Sequence, residues 1–202
     1  EGSPVKKVRV GRKQAEVVTD AATMRAETVV VTTGAATAEF RQLRRHFARR
    51  ETYLGLTEPM PASVRKAVGM RAATIADTRT PRHRIRFTDD DRILIAGADG
   101  PETPARTRET VLVQRTGQLM YELLTMYPAI SGLMPAFGWE LSQGETFDRL
   151  MYIGPHRNFP RHLFALGAGG DSVTGAFLAA RIIARHLQGA PDKSDEIFGW
   201  NR

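Results

Sequence analysis

The sequence predicts an α+β fold, and three observations predict it. Apolar residues alternate by twos in several short runs separated by polar turns. Two segments, 109–127 and 174–189, instead repeat their apolar residues at helical spacing. Residues 162–183, HLFALGAGGDSVTGAFLAARII, pass from an apolar run through a glycine-dense turn into an apolar helix. At 202 residues the chain makes one ordinary domain or two small intertwined ones.

VKKVRVGRKQAEVVTD at 5–20 holds two alternating runs around Gly11 and Arg12, the pattern of a β-hairpin. TVVVTTGA at 28–35 places three valines before a glycine turn, as in a strand buried on both faces. From Glu39 to Arg50, Phe40, Leu43 and Phe47 fall at i, i+3 and i+7, which predicts an amphipathic helix with its arginines in water. Strands follow at 52–58, 72–78, 83–88 and 92–98, the last two joined by a polar turn at Thr88, Asp89, Asp90 and Asp91. After a loop at 99–108, Leu112, Leu119, Met120, Leu123 and Leu124 mark a long helix that Pro128 stops beyond Tyr127. Strands are predicted at 137–142, 150–153 and 162–166, then a helix at 174–189 with Gly189 and Pro191 as terminators. Trp139 reads as core and Trp200 as part of a docked or frayed tail.

The hydrophobic fraction of 42% and charged fraction of 25% exclude a disordered, collagen-like or coiled-coil chain. No apolar run approaches the roughly 20 residues of a membrane-spanning helix, and EGSPVKKVRV has no secretory apolar stretch, so the cytoplasm is the default compartment. The absence of cysteine excludes disulfides, thiolate metal sites, iron–sulfur clusters and cysteine nucleophiles. A net charge of +7, from 29 Lys and Arg against 22 Asp and Glu, attracts nucleic acid, anionic surfaces or acidic small molecules without choosing among them. His46, His83, His156, His162 and His186 do not fall at metal-ligand spacing with carboxylates, so no metal is expected. The aspartates at 89–91 lack the glycine and terminal Glu of a calcium loop and read as a solvated turn. FRQLRRHFARR at 40–50 fits the wet face of a helix better than a phosphate-binding patch.

The strand, turn and helix at 162–183 carry the strongest chemical signal. Glycines 167, 169, 170 and 175 permit positive φ and close backbone approach, and the first free N–H groups of a helix favour negative charge. An anion or an electron-rich ring fits such a turn; a tight turn with no ligand fits the spacing equally well. It is not a dinucleotide fingerprint, because Ser172 stands where G-x-G-x-x-G starting at Gly167 needs its last glycine.

In order and spacing, four stretches resemble the FAD-dependent amine and D-amino-acid oxidase family: AETVVVTTGA at 26–35, LTEPMP at 56–61, WELSQGETFDRLMYIG at 139–154 and LFALGAGGDSVTGAFLAARII at 163–183. Segment 76–99 further resembles the substrate-domain hairpin of members that oxidise γ-glutamylputrescine and related amines. The resemblance implies an incomplete FAD-binding, Rossmann-like domain at 1–50 and 145–202, interleaved with an antiparallel substrate domain at 51–144 backed by the long helix. The strand, G-x-G-x-x-G turn and acidic strand end that grip the ADP half of FAD in the family have no counterpart here. With Glu1 in place of Met, the chain is therefore expected to be the C-terminal part of a longer enzyme, inactive and free of FAD when isolated.

The resemblance also implies site residues. Thr33, Gly34 and Ala35 match the strand-end turn that passes the cofactor. Gly167, Gly169, Gly170, Asp171, Ser172, Val173 and Thr174 match the turn beside the flavin ring, where a helix start faces the side on which reduction places negative charge. The implied reaction moves hydride from the carbon bearing a neutral amine to flavin N5, giving an imine, with oxygen or a quinone reoxidising the flavin. It requires orientation and desolvation rather than a catalytic dyad. Several amino-acid oxidising members carry Arg where this chain has Gln143, whose amide lacks the charged fork that fits a carboxylate. Substrate-side candidates are therefore Gln143 with Arg86 and His83 on the hairpin, Arg84 and Arg79 being further arginines able to substitute. The expected partners are a small amine or amino acid and the missing N-terminal segment or a separate nucleotide-binding subunit. A basic binding module without redox function is the rival from another class.

Overall fold

The computed structural model describes residues 2–11, 13–69 and 73–200 and divides into two compact units, 1–49 with 143–202, and 50–142. In the first, β1 (Val5–Val10), β2 (Ala15–Thr19) and β3 (Thr23–Ala26) form an antiparallel sheet in that order. β4 (Val29–Gly34) follows, and a 3-10 turn at Arg41–His46 leads into β5 (Phe47–Thr57), whose last eight residues belong to the second unit. The helix expected at 39–50 is thus not formed. The strand reaches back to Phe47, ahead of the alternation that starts at Glu51, so extended backbone replaces the helical spacing of Phe40, Leu43 and Phe47. Phe40 and Leu43 are nevertheless buried, while Arg41, Arg44 and Arg45 stay in water.

The second unit adds α1 (Ala62–Val68), a short helix unmarked in the sequence, then β6 (Thr74–Ala76), β7 (Arg84–Phe87) and β8 (Ile93–Pro101). The start of the strand expected at 72–78 lies outside the described residues. α2 (Arg108–Met126) precedes β9 (Pro135–Thr146), and the strands order as β6-β7-β8-β5-β9. Tyr53, Ile85, Phe87, Ile93 and Ile95 on one sheet face pack against Leu119 and Leu123 of α2. Glu51, 0% exposed, is held in this core by Tyr53 Oη at 2.8 Å and the Thr103 amide at 3.0 Å, both donating to Oε2. Burial opposes its charge, but these bonds and nearby Arg108 keep its carboxyl below the ordinary glutamate value. The opposite sheet face is open. Register puts Arg84, Ala96 and Leu54 in one row across it and Arg86, Leu94 and Leu56 in the next. Trp139, expected in the core, is instead 39% exposed, because it and Phe137 alternate with Gly138, which faces Thr116 of α2.

The first unit is completed by β10 (Tyr152–His156), β11 (Phe159–Leu166) and α3 (Ser172–Leu187). β11 pairs antiparallel with β10 and parallel with β4. Burial on both faces, expected for the three valines of β4, belongs to β11. Its Phe164 and Leu166 join Val31, Phe40 and Leu43, while Leu163 and Ala165 meet Ala179, Ile182 and Ile183 of α3. Among the described residues β4 has no strand on its other side, and Val30 is 42% exposed. The tail docks: a 3-10 turn at Lys193–Phe198 delivers Trp200, whose ring stacks on Tyr152 at 4.3 Å between centroids. No helix of the described residues is long and apolar enough to cross a membrane.

His162 is 1% exposed, surrounded by Phe40, Phe159 and Phe164, with neither ring nitrogen bonded. Burial therefore lowers its pKa and keeps it neutral. A lowered folded-state pKa leaves stability intact above the unfolded value of about 6.5 and removes it as pH falls toward the folded value. His162→Phe should thus stabilise the first unit by about 1–3 kcal/mol more at acid pH than at pH 8. Urea denaturation at both pH values checks this; an unchanged pH dependence would contradict it.

Candidate functional site

Three chain segments meet at the carboxyl ends of β4, β9 and β11 in the first unit. β4 ends in a tight turn at Thr33, Gly34 and Ala35, where the Ala35 amide donates to the Thr33 carbonyl at 2.9 Å and Thr33 Oγ1 donates to the Ala35 carbonyl at 2.9 Å. The Gly167 amide donates to the Gly34 carbonyl at 2.8 Å, joining this turn to the end of β11. The end of β9 lies against both. Glu145 bridges Ala168, and a Cβ on Gly144 would stand 2.6 Å from Ala35 Cβ and 2.8 Å from the Gly34 oxygen.

The turn after β11 is equally constrained. Gly167 has φ of 84°, and a Cβ there would stand 2.6 Å from Thr146 Cγ2 and 2.9 Å from Phe47 Cε1. Only glycine fits both the conformation and the space. A 3-10 turn at Gly169–Asp171, with no side-chain cap, then runs into α3. Gly170, Ser172, Val173 and Thr174 are exposed at this helix start. The helix dipole places a positive partial charge at this start, beside which the Glu145 side chain lies, its Cγ 3.6 Å from where a Cβ on Gly169 would stand.

The structure thus brings Thr33, Gly34, Ala35 and the 167–174 turn together, and adds Gln143 through its neighbour Gly144. Arg86 and Arg84 lie in the second unit, exposed on the open sheet face beside Leu94 and Ala96. Arg79 is exposed as well, near Asp77. His83 is buried: its Nδ1 lies 2.6 Å from Asp77 Oδ2 and its Nε2 2.7 Å from Glu122 Oε2, so neither nitrogen is left for a ligand. Burial opposes charge on this ring, but its hydrogen bonds to both carboxylates outweigh it and raise its pKa. His83 fastens the hairpin to α2. The residues missed by sequence reasoning are Gly144, Thr146 and Phe47; a glycine inside a strand run is the one signal that marks such close backbone approach.

Gly144→Val should push β9 off the Gly34–Ala35 turn and destabilise the first unit by about 2–4 kcal/mol. A shift of the urea midpoint checks this, and a midpoint equal to that of the parent chain would show that the turn yields freely.

Comparison with known proteins now bears on this geometry. The model of the family described as FAD dependent oxidoreductase matches residues 1–186. Solved structures with the same fold include glycine oxidase from Geobacillus kaustophilus, at a TM-score of 0.75 and 17% identity over 99% of this chain and 52% of that one. L-proline dehydrogenase from P. horikoshii matches at 0.75 and 16% identity, over 98% and 53%. L-Amino acid deaminase from Proteus myxofaciens matches at 0.73 and 12% identity, over 99% and 55%. The chain spans about half the length of these structures. No curated protein sequence matches it. The chain belongs to the FAD dependent oxidoreductase family.

Proposed function

We propose, with membership of this family as the premise, that the chain is the flavin-facing and substrate-facing portion of an amine or amino-acid oxidoreductase. The observation that carries the reading is the convergence of Thr33–Ala35, Gln143–Thr146 and Gly167–Thr174 on one cradle. The cradle fits the polar end of a flavin ring: the space beside Gly34 is open, and the start of α3 directs its dipole to the same place. Bound FAD supplies a hydride acceptor at N5 for the carbon bearing a neutral amine, leaving an imine that water hydrolyses.

The chain's own residues orient, shield and polarise. The α3 dipole favours negative charge at the mouth of the cradle, which raises the electron affinity of a ring held there. Gln143 presents an uncharged amide to the substrate, and Arg86 offers a guanidinium to a substrate carboxylate. Leu54, Leu56 and Leu94 lie half-buried on the sheet face that carries Arg86 and suit the apolar part of a substrate.

The ADP half of FAD requires a further nucleotide-binding stretch of polypeptide, in the same chain or in a partner subunit. The free edge of β4 and a second apolar stripe on α3, with Val173, Phe177 and Leu187 exposed, fit the docking of such a stretch. Residues 1–202 alone are then colourless and inactive.

Protein purified from the complete reading frame encoding these residues should be yellow and should lose its visible flavin band anaerobically with glycine, L-proline or a diamine. Arg86→Gln should raise KM for a carboxylate-bearing amine about tenfold with little change in kcat. A complete-frame protein without flavin would overturn the reading, as would stoichiometric flavin on residues 1–202 alone for the incompleteness claim.

A further inference from the structure

The first unit contains a second concavity, of about 630 Å³, walled by the turn before β5, by β10, by the end of α3 and by the docked tail. That volume lies in the range of small-molecule sites. Ile153, Pro155 and Trp200 provide apolar wall, and the remaining surface is charged or carries imidazole. It shares no residue with the cradle at 33–35, 143–146 and 167–174.

Its charges are unequally spent. Of the three carboxylates lining it, Asp195 is ion-paired with Arg185, and Asp192 accepts from the Ser194 amide at 2.9 Å and hydroxyl at 2.8 Å. Asp192, whose donors are neutral, and Glu196 remain as the opposing acids. Arg45, Arg157 and Lys193 face the same space, and among the described residues none of the three has a carboxylate partner. With Asp195 neutralised by Arg185, three cations face two carboxylates, Asp192 and Glu196, and the balance is one positive charge.

Two imidazoles report that field. His46 and His156 both line the cavity with their edges toward Trp200, at ring distances of 5.6 and 5.1 Å. Burial first, and then repulsion by neighbouring cations, holds both below the usual histidine pKa. The charges that act on His156 are those of His46, Arg157 and Arg45, all positive, with no carboxylate compensating. The Arg45 Nε–H donates to His46 Nε2 at 3.4 Å, and the Asn158 amide donates to His156 Nδ1 at 3.1 Å. Each ring thereby keeps its other nitrogen as a donor. An acceptor-rich anion would meet two guanidinium forks, an ammonium and two imidazole N–H groups.

We propose that this pocket, between the turn at 41–46, β10 and the tail at 191–200, binds a small multiply charged anion, a phosphate or polycarboxylate, through Arg45, Arg157 and Lys193. The site is independent of flavin binding and of the proposed oxidation chemistry. Because Trp200 forms part of its wall and Trp139 lies in the other unit, a Trp139→Phe background gives a fluorescence signal from the pocket alone.

In that background, residues 1–202 are titrated with inorganic phosphate and with citrate, against sodium chloride of matched ionic strength. A saturable change in Trp200 emission is expected with phosphate, citrate or both, and none with chloride. A response to phosphate alone assigns a phosphoryl ligand, and one to citrate alone assigns a carboxylate. Arg157→Gln and Lys193→Gln, both at exposed positions, should each weaken binding about tenfold without moving the thermal midpoint. Equal responses to chloride, or full affinity in both variants, would overturn the assignment.

Discussion

Backbone contact at the ends of β4, β9 and β11 is the constraint on which the first unit depends. Gly144 and Gly167 have no room for a side chain, and the Gly167 amide binds the Gly34 carbonyl, so three separate stretches share one point. The cradle proposed for the flavin is built around this point. The α3 start opens beside it, and Gln143 is positioned by the residue that touches it. Such contacts depend on absent atoms: a Cβ at either glycine would strike Ala35 or Thr146.

The second unit is organised by buried charge rather than by close backbone. Glu51 and the Asp77, His83 and Glu122 group place ionised side chains within or beside an otherwise apolar interface between sheet and α2. Glu51 Oε2 and both nitrogens of His83 are met by specific partners, while Glu51 Oε1 has only Arg108 at 3.9 Å, and removing a partner would leave an uncompensated charge. The helix-bearing face is thereby fixed, and the opposite face, with Arg84 and Arg86 beside leucines, is left open.

The parts legible in sequence are those decided locally. The 5–20 hairpin, α2 and the strand, turn and helix at 162–183 each combine a clear period with a stop signal, and each forms. β3 was invisible because all four of its residues are exposed and show no alternation, and α1 because seven residues between Pro61 and Gly69 carry too little periodicity. The arginine segment was misread because its apolar spacing suits a helix while its neighbour is already a strand. Whether β4 or β11 is buried on both faces could not be read from either, since both are apolar runs and only the strand order decides. Of the cradle, the two glycine turns were visible, whereas Gly144 and Thr146 act through partners far away in sequence. His83 looked like a surface candidate because nothing in sequence reveals Glu122 beneath it.

The account's central claim is that the turns at 33–35, 143–146 and 167–174 face the flavin together. Amide hydrogen exchange on complete-frame protein, with and without FAD, tests it most directly. Added protection is expected in all three segments at once, largest at the start of α3. Tight FAD binding with exchange at these amides unchanged would contradict it.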